Sequence, residues 1–292
     1  MTIGATTRNP EGQNRGKAVS TNPFAAERVS GTLGAELTGV DLREPLDAED
    51  QKKLTDALVE HQVVFFRDQD LTPEQHKAVG HYFGDLHVHP VLPSRKDEGH
   101  PEIVVLESSE KAPFVAEHWH TDVTFERKPP LGSALRGIIV PDHGGDTLWA
   151  STSAAYDGLS DSMQRLLSGL EALHDGGVFR ALADDKQKDE LAKDQTTTHP
   201  VIRTHPVSGK KVIFVNRAFT RKIVGMKKKE SDMLLNFLCD HIKSTEYTCR
   251  FHWKKNSLAI WDNRSTQHAV VADNVAARRR VERVTICGDE PF

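Results

Sequence analysis

Residues 247–268 read YTCRFHWKKNSLAIWDNRSTQH. Two short segments in it, Tyr247–Trp253 and Ser257–Trp261, are separated by Lys254-Lys255-Asn256. Their length and their bounding turn predict a pair of strands. A further strand at Arg283–Cys287 closes the chain. Working back toward the N-terminus, strands are predicted near Lys211–Val215, at Thr147–Ala150, Ala134–Val140 and Ile103–Leu106, and at the continuous apolar run Val63–Phe66. Such a run is the pattern of a strand buried on both faces. Arg28–Leu42, with glycines at 31, 34 and 39, reads as short strands joined by turns.

Helices are fewer. Leu54, Ala57, Leu58 and His61 fall at i, i+3, i+4 and i+7, one face of a helix. Thr72-Pro73-Glu74-Gln75 is a helix start, with Thr72 as cap, proline at the first helical position and Gln75 reaching back. Ser160 is expected to cap a helix burying Met163, Leu166, Leu167 and Leu170. A later helix is expected to bury Met233, Leu234, Phe237, Leu238 and Ile242. Strands outnumber helices and no βαβ alternation appears. The expected class is therefore mainly β with flanking helices (α+β), an antiparallel barrel or jelly roll. Residues 1–26 have almost no large apolar side chains and read as a mobile tail, leaving 27–292 as the folded domain. Residues 180–198 are polar, with no apolar face, and read as an exposed helix or lid-like loop.

The 292 residues carry a net charge of −4, too near neutrality for a global nucleic-acid footprint. Three cysteines are too few, and odd in number, for a disulfide framework. No apolar run approaches the roughly 20 residues that span a bilayer, and the start lacks a secretory apolar core. A cytoplasmic location without membrane or nucleic-acid partners is expected. Fifteen histidines direct attention to metal ligands.

The most informative local string is Glu117-His118-Trp119-His120-Thr121-Asp122-Val123-Thr124-Phe125. If this is a strand, His120 and Asp122 point to the same face. One imidazole and one carboxylate could then meet one cation, with His268 the best candidate for a second imidazole. Two histidines and a carboxylate form a facial triad that leaves positions open, the arrangement of non-haem Fe(II) oxygenases. His-X-Asp alone is a weak signal, and its ordinary reading is a surface pair at a strand end. Arg279 and Arg283 strengthen it. On a returning strand their spacing of four puts both on one face, and a buried arginine needs an anion, for which a carboxylate cosubstrate is the natural partner.

The strings WHTDVTF, GGDTLWA, RTHPVSGK, IWDNRSTQH and RVTICGDEPF, with FGDLHVHP before them, closely resemble the Fe(II)/2-oxoglutarate-dependent taurine dioxygenase family. They occur in order from about residue 31 to the end. The resemblance implies a double-stranded β-helix. It implies that His120, Asp122 and His268 are the iron ligands. It implies that Arg279 and Thr147 hold the distal carboxylate of 2-oxoglutarate, and that dioxygen completes the reaction. It implies that His89 and Arg283 hold a substrate sulfonate, with Val123, Phe125 and Phe219 lining the pocket. Trp119 and Trp261 are expected to be packing residues. By analogy the chain is expected to form a dimer or tetramer.

The expected reaction couples oxidative decarboxylation of 2-oxoglutarate to hydroxylation of the carbon beside the sulfur group of taurine or a related alkyl sulfonate. The product collapses to an aldehyde and sulfite. Two positions depart from the taurine pattern. Leu92 replaces a tyrosine, and Ala116 replaces an asparagine. Both remove polar groups from the expected pocket, so a more apolar sulfonate, an alkyl sulfate ester or an aryloxy acid stands as the alternative substrate. A zinc hydrolase using the same triad and a non-catalytic binding jelly roll are the remaining readings.

Overall fold

The computed structural model describes residues 24–89, 92–111, 118–177, 179 and 196–292. Ala116, residues 180–195 and most of the expected tail lie outside these residues. Ala25 and Ala26, assigned to the tail from sequence, begin the first strand instead. Thr196–Thr198, assigned to the lid-like segment, also belong to a strand.

Strands are numbered in chain order. The largest sheet runs β1 (Ala25–Arg28), β2 (Ala35–Thr38), β3 (Val63–Phe66), β15 (Leu258–Asp262), β7 (Gly132–Ile139), β17 (Arg279–Ile286), β6 (His100–Ser108) and β5 (Ser94–Arg95). A short β4 (Leu86–His87) also pairs with β17. A second sheet has the order β14 (Thr248–Phe251), β8 (Thr147–Ser151) and β16 (Thr266–Val270). The smaller sheets are β10 (Thr196–Pro200), β9 (Glu171–Asp175) and β13 (Thr220–Ile223), and β11 (Ile202–Thr204) with β12 (Lys211–Ile213). Every pairing is antiparallel except β2 with β3. The architecture is the double-stranded β-helix.

Strand β3 shows how sequence dictates the layers. Val64 and Phe66 pack under α1 (Ala48–His61) and α2 (Pro73–His81) with Leu54, Leu58, Val79, Leu258 and Ile260. Val63 and Phe65 point the other way, into a core shared with Trp149, Phe251, Trp253, Trp261 and Val281. This second cluster draws from both sheets and fills the space between them. Alternate residues of one VVFF run thus bind the outer helices and the inner core, which is why the run has no polar member.

Helix α2 starts at Thr72 with the expected reciprocal cap to Gln75. On the other side of the molecule, α3 (Thr152–Asp157), α4 (Asp161–Leu167) and α5 (Lys228–Ile242) cover a third cluster around Val201, Ile213 and Ile223. Ser160 caps α4 as expected, but only Leu167 of that helix is buried, and Leu166 is exposed. In α5, Leu234, Leu238 and Ile242 are buried, whereas Met233 and Phe237 are exposed. The apolar stripe read from the sequence was wider than the face that the sheet covers. Among the described residues, no helix is long and apolar enough to cross a membrane.

Candidate active site

His268 lies on β16, opposite Trp149 of β8. On its other side it forms an antiparallel bridge with His120. The His120 N–H donates to the His268 carbonyl at 3.0 Å and the His268 N–H donates to the His120 carbonyl at 2.8 Å. The two imidazoles therefore leave adjacent backbones, with ring centroids 4.2 Å apart.

Asp122 reaches the same point by a different route from the one expected. Residues 122–125 form a turn, not a strand. His120 and Asp122 therefore do not share a strand face, yet their side chains still converge. Val123 has φ of 54°, a conformation that a β-branched residue rarely adopts and that costs on the order of 1–3 kcal/mol. The turn carries Asp122 back toward the histidines. Asp122 Oδ1 lies 3.5 Å from His120 Nε2 and 4.0 Å from His268 Nε2. One ligand atom from each of the three falls within 4.8 Å of the others.

The protonation states suit a cation. The His118 carbonyl lies 2.7 Å from His120 Nδ1, which places the proton there and turns the Nε2 lone pair inward. Burial, reinforced by His120, pushes His268 down to about 3, so its ring is neutral at physiological pH. Burial opposes the Asp122 charge, but Arg283, then His268 and His120, hold its carboxyl well below the usual range. Asp122 Oδ2 is buried and has no hydrogen-bond partner among the described residues. Two imidazole nitrogens and a carboxylate are the donor set for Fe(II).

Arg279 and Arg283 both lie on β17, four residues apart, on the same face as the core residue Val281. Arg279 is the more unusual. Its Nε and Nη2 are buried and make no hydrogen bond, and it has no ion-pair partner among the described residues. Burial lowers its pKa to about 10, against the pull of Asp146. A desolvated guanidinium of this kind is costly unless a bound anion completes it. Gly145, at φ of 69°, covers it closely: a Cβ there would come within 3.2 Å of Arg279 Cδ. Thr147 sits buried on β8, and its hydroxyl oxygen accepts from Trp253 Nε1 at 2.9 Å. Its own proton can still be donated.

Arg283 is placed where it was expected but has a partner that sequence reasoning did not supply. Its Nη1 donates to Asp122 Oδ1 at 2.9 Å, while Nε is buried without a hydrogen bond. His89 is buried, and its Nδ1 accepts from the Leu92 N–H at 3.1 Å, so the ring proton belongs on Nε2. Burial, then Arg283, pushes its pKa down to about 3. Val123, Phe125 and Phe219 form one buried apolar cluster, joined by Phe179. Phe219 packs edge-on to His120 with centroids 6.4 Å apart, and Phe179 packs against His89 at 5.0 Å. Sequence reasoning does not single out Phe179. Its isolated aromatic ring in a polar stretch was the available signal. Trp261 lies 4.8 Å from the His268 ring and is buried, as expected of a packing residue. Trp119 packs against the cluster under α5.

A buried two-histidine, one-aspartate site inside a double-stranded β-helix, with an uncompensated arginine beside it, defines an oxygenase dependent on iron and a keto acid. The chain belongs to the Taurine catabolism dioxygenase TauD, TfdA family, whose model matches residues 25–285. It is a 2-oxoglutarate-dependent non-haem iron dioxygenase, using Fe(II), 2-oxoglutarate and dioxygen. An alkylsulfatase of Acinetobacter baylyi is 36% identical over 279 residues, covering 92% of this chain and 86% of the relative. An alpha-ketoglutarate-dependent sulfate ester dioxygenase of Pseudomonas putida is 35% identical over 288 residues, covering 94% of each. The crystal structure of a taurine dioxygenase from Burkholderia xenovorans superposes with a TM-score of 0.81 at 36% identity, covering 93% of this chain and 91% of that one.

Proposed function

We propose that this enzyme oxidises the carbon next to the sulfur-bearing group of an alkyl sulfate ester, with apolar alkyl sulfonates as further substrates and taurine a poor one. The observation that carries the choice is the apolar cluster of Val123, Phe125, Phe219 and Phe179 against His120 and His89. An alkyl chain gains from such a wall by burial, whereas the ammonium of taurine would be desolvated against it, since these four side chains offer it no acceptor. The names of the Acinetobacter and Pseudomonas relatives support a sulfate ester.

In this reading His120, Asp122 and His268 hold the iron. Arg279 takes the distal carboxylate of 2-oxoglutarate through two parallel hydrogen bonds, and the Thr147 hydroxyl donates a third. Bound iron and 2-oxoglutarate supply dioxygen activation and the decarboxylation to succinate and carbon dioxide. The chain itself binds, orients and excludes water. Arg283 and the Nε2–H of His89 hold the sulfur oxyanion, and the phenylalanines hold the alkyl body, so that one C–H faces the iron. Hydroxylation of R–CH2–OSO3⁻ gives R–CH(OH)–OSO3⁻, which collapses to R–CHO and hydrogen sulfate. A sulfonate gives the same aldehyde and sulfite.

The test is to measure succinate, and sulfate or sulfite, formed aerobically from hexyl sulfate, hexanesulfonate, taurine and an aryloxyacetate. Hexyl sulfate is expected to give the highest kcat/KM. Preference for taurine or the aryloxyacetate over both alkyl compounds overturns this choice.

A further inference from the structure

The turn that presents Asp122 has no strand ladder to hold it, and its next residue, Val123, sits at φ of 54°. A backbone in that conformation persists only where the surroundings over-determine it. One side chain supplies most of what a ladder would have supplied. Asn263 Oδ1 accepts from the Asp122 N–H at 2.8 Å, and Asn263 Nδ2 donates to the Asp122 carbonyl at 3.1 Å. The same Nδ2 donates to the Pro130 carbonyl at 3.0 Å. Asn263 thus satisfies both backbone polar groups of Asp122 and ties the end of this segment down as well. It is 1% exposed, so water cannot take over these bonds.

Asn263 is itself held rigidly. It occupies the tight connection between β15 and β16, the strand that carries His268. The Asp262 carboxylate accepts from the Arg264 backbone N–H, Nε and Nη2, and from His205 Nε2. The Thr266 hydroxyl donates to the Asp262 carbonyl at 2.8 Å. The neighbours of Asp122 are fastened separately. Thr121 Oγ1 donates to the Thr266 carbonyl at 2.9 Å, and Thr124 Oγ1 accepts from Asn216 Nδ2 at 3.0 Å. Asn263 differs from these in acting on the ligand residue itself. It also joins the segment that carries Asp122 to the turn leading into β16, the strand of His268.

We infer that Asn263 is a positioning residue for the metal centre, clamping the Asp122 backbone in register with the β15–β16 turn so that the carboxylate is fixed before a cation arrives. The inference rests on the reading of Asp122 as an iron ligand. Outer partners of metal ligands commonly set affinity by 10–100-fold. The role requires an acceptor and a donor on one short side chain. Asp supplies no donor, Ala supplies neither, and Gln is too long for the same fork.

The test titrates Mn(II), as a stand-in cation followed by electron paramagnetic resonance, into the full-length protein and into N263A and N263D, with melting temperatures measured in parallel. Folded N263A and N263D are expected to bind Mn(II) at least tenfold more weakly than the parent. Mn(II) affinity within twofold of the parent in either folded variant overturns the inference, even if the melting temperature falls, because that is the result of a merely structural role. A parent that binds no Mn(II), or one whose Mn(II) binding is unchanged by D122N, overturns the ligand reading instead. Should both variants fail to fold, hydrogen exchange of the unsubstituted protein decides the matter. The Asp122 amide is expected to be strongly protected without added metal, and exchange at the rate of an open loop overturns the clamp.

Discussion

His120 and His268 are joined through their backbones, each accepting the other's N–H across an antiparallel bridge, while both Nε2 atoms face one oxygen of Asp122. The fold therefore does not depend on their imidazoles for this pairing. Replacing either histidine by alanine is expected to leave the melting temperature within a few degrees while Mn(II) or Fe(II) affinity falls by 100-fold or more. Metal titration with parallel calorimetry checks this. Metal affinity unchanged in both variants would falsify the ligand assignment.

Arg279 has a buried guanidinium, and no anionic side chain among the described residues pairs with it. Arg279→Gln is expected to raise the Kd for 2-oxoglutarate at least tenfold in the Mn(II)-loaded protein, with Mn(II) affinity held within a few-fold. Arg279→Lys is not expected to restore binding, since an ammonium cannot make the two parallel bonds. Isothermal titration separates the two affinities, and an unchanged Kd for 2-oxoglutarate counts against the role.

Arg283 is nearer to the His120–Asp122–His268 triad and already donates to Asp122. Its replacement by glutamine is expected to raise KM for hexyl sulfate by more than it raises KM for 2-oxoglutarate. Equal increases in both constants would remove it from the anion site.

Phe179 joins the apolar cluster and stacks edge-on against His89. Truncation to alanine removes part-buried apolar surface from that wall. Phe179→Ala is expected to raise KM for hexyl sulfate roughly tenfold, and to affect ethyl sulfate less. A chain-length profile identical to that of the parent contradicts the proposed wall.

His76 provides a test by pH away from the metal site. It is buried on α2, and burial lowers its pKa to about 4, opposed by its contact with the Ala134 carbonyl. Its unfolded value is near 6.5, so between about pH 6.5 and 4 the unfolded chain binds the extra proton and stability falls as pH falls. From pH 7 to 5 the loss from this one residue is about 2 kcal/mol. His76→Gln is expected to reduce the slope of stability against pH over that interval. Urea denaturation at pH 7, 6 and 5 measures it, and an unaltered slope refutes the linkage.

Much of the site was legible because its elements carry local signatures. The VVFF run of β3 must be buried on both faces, and the reciprocal Thr72–Gln75 cap follows from side chains three residues apart. Arg279 and Arg283 share a face of β17 because strand geometry alternates with a period of two. Helix faces were less legible. Met233 and Phe237 fit the apolar stripe of α5, but the period of a helix does not state how wide a surface its neighbours will cover.

The chain's order of residues determined the ligand types, the two arginines on one strand face and the strand-rich class, since each follows from chemistry or from a short repeat. Tertiary structure alone decided that Asp122 arrives by a turn, that Asn263 from 141 residues further along clasps its backbone, and that Phe179 stands beside His89. Those relations join segments far apart in the chain. They depend on how the sheets and connections pack in three dimensions, a property that no local spacing carries.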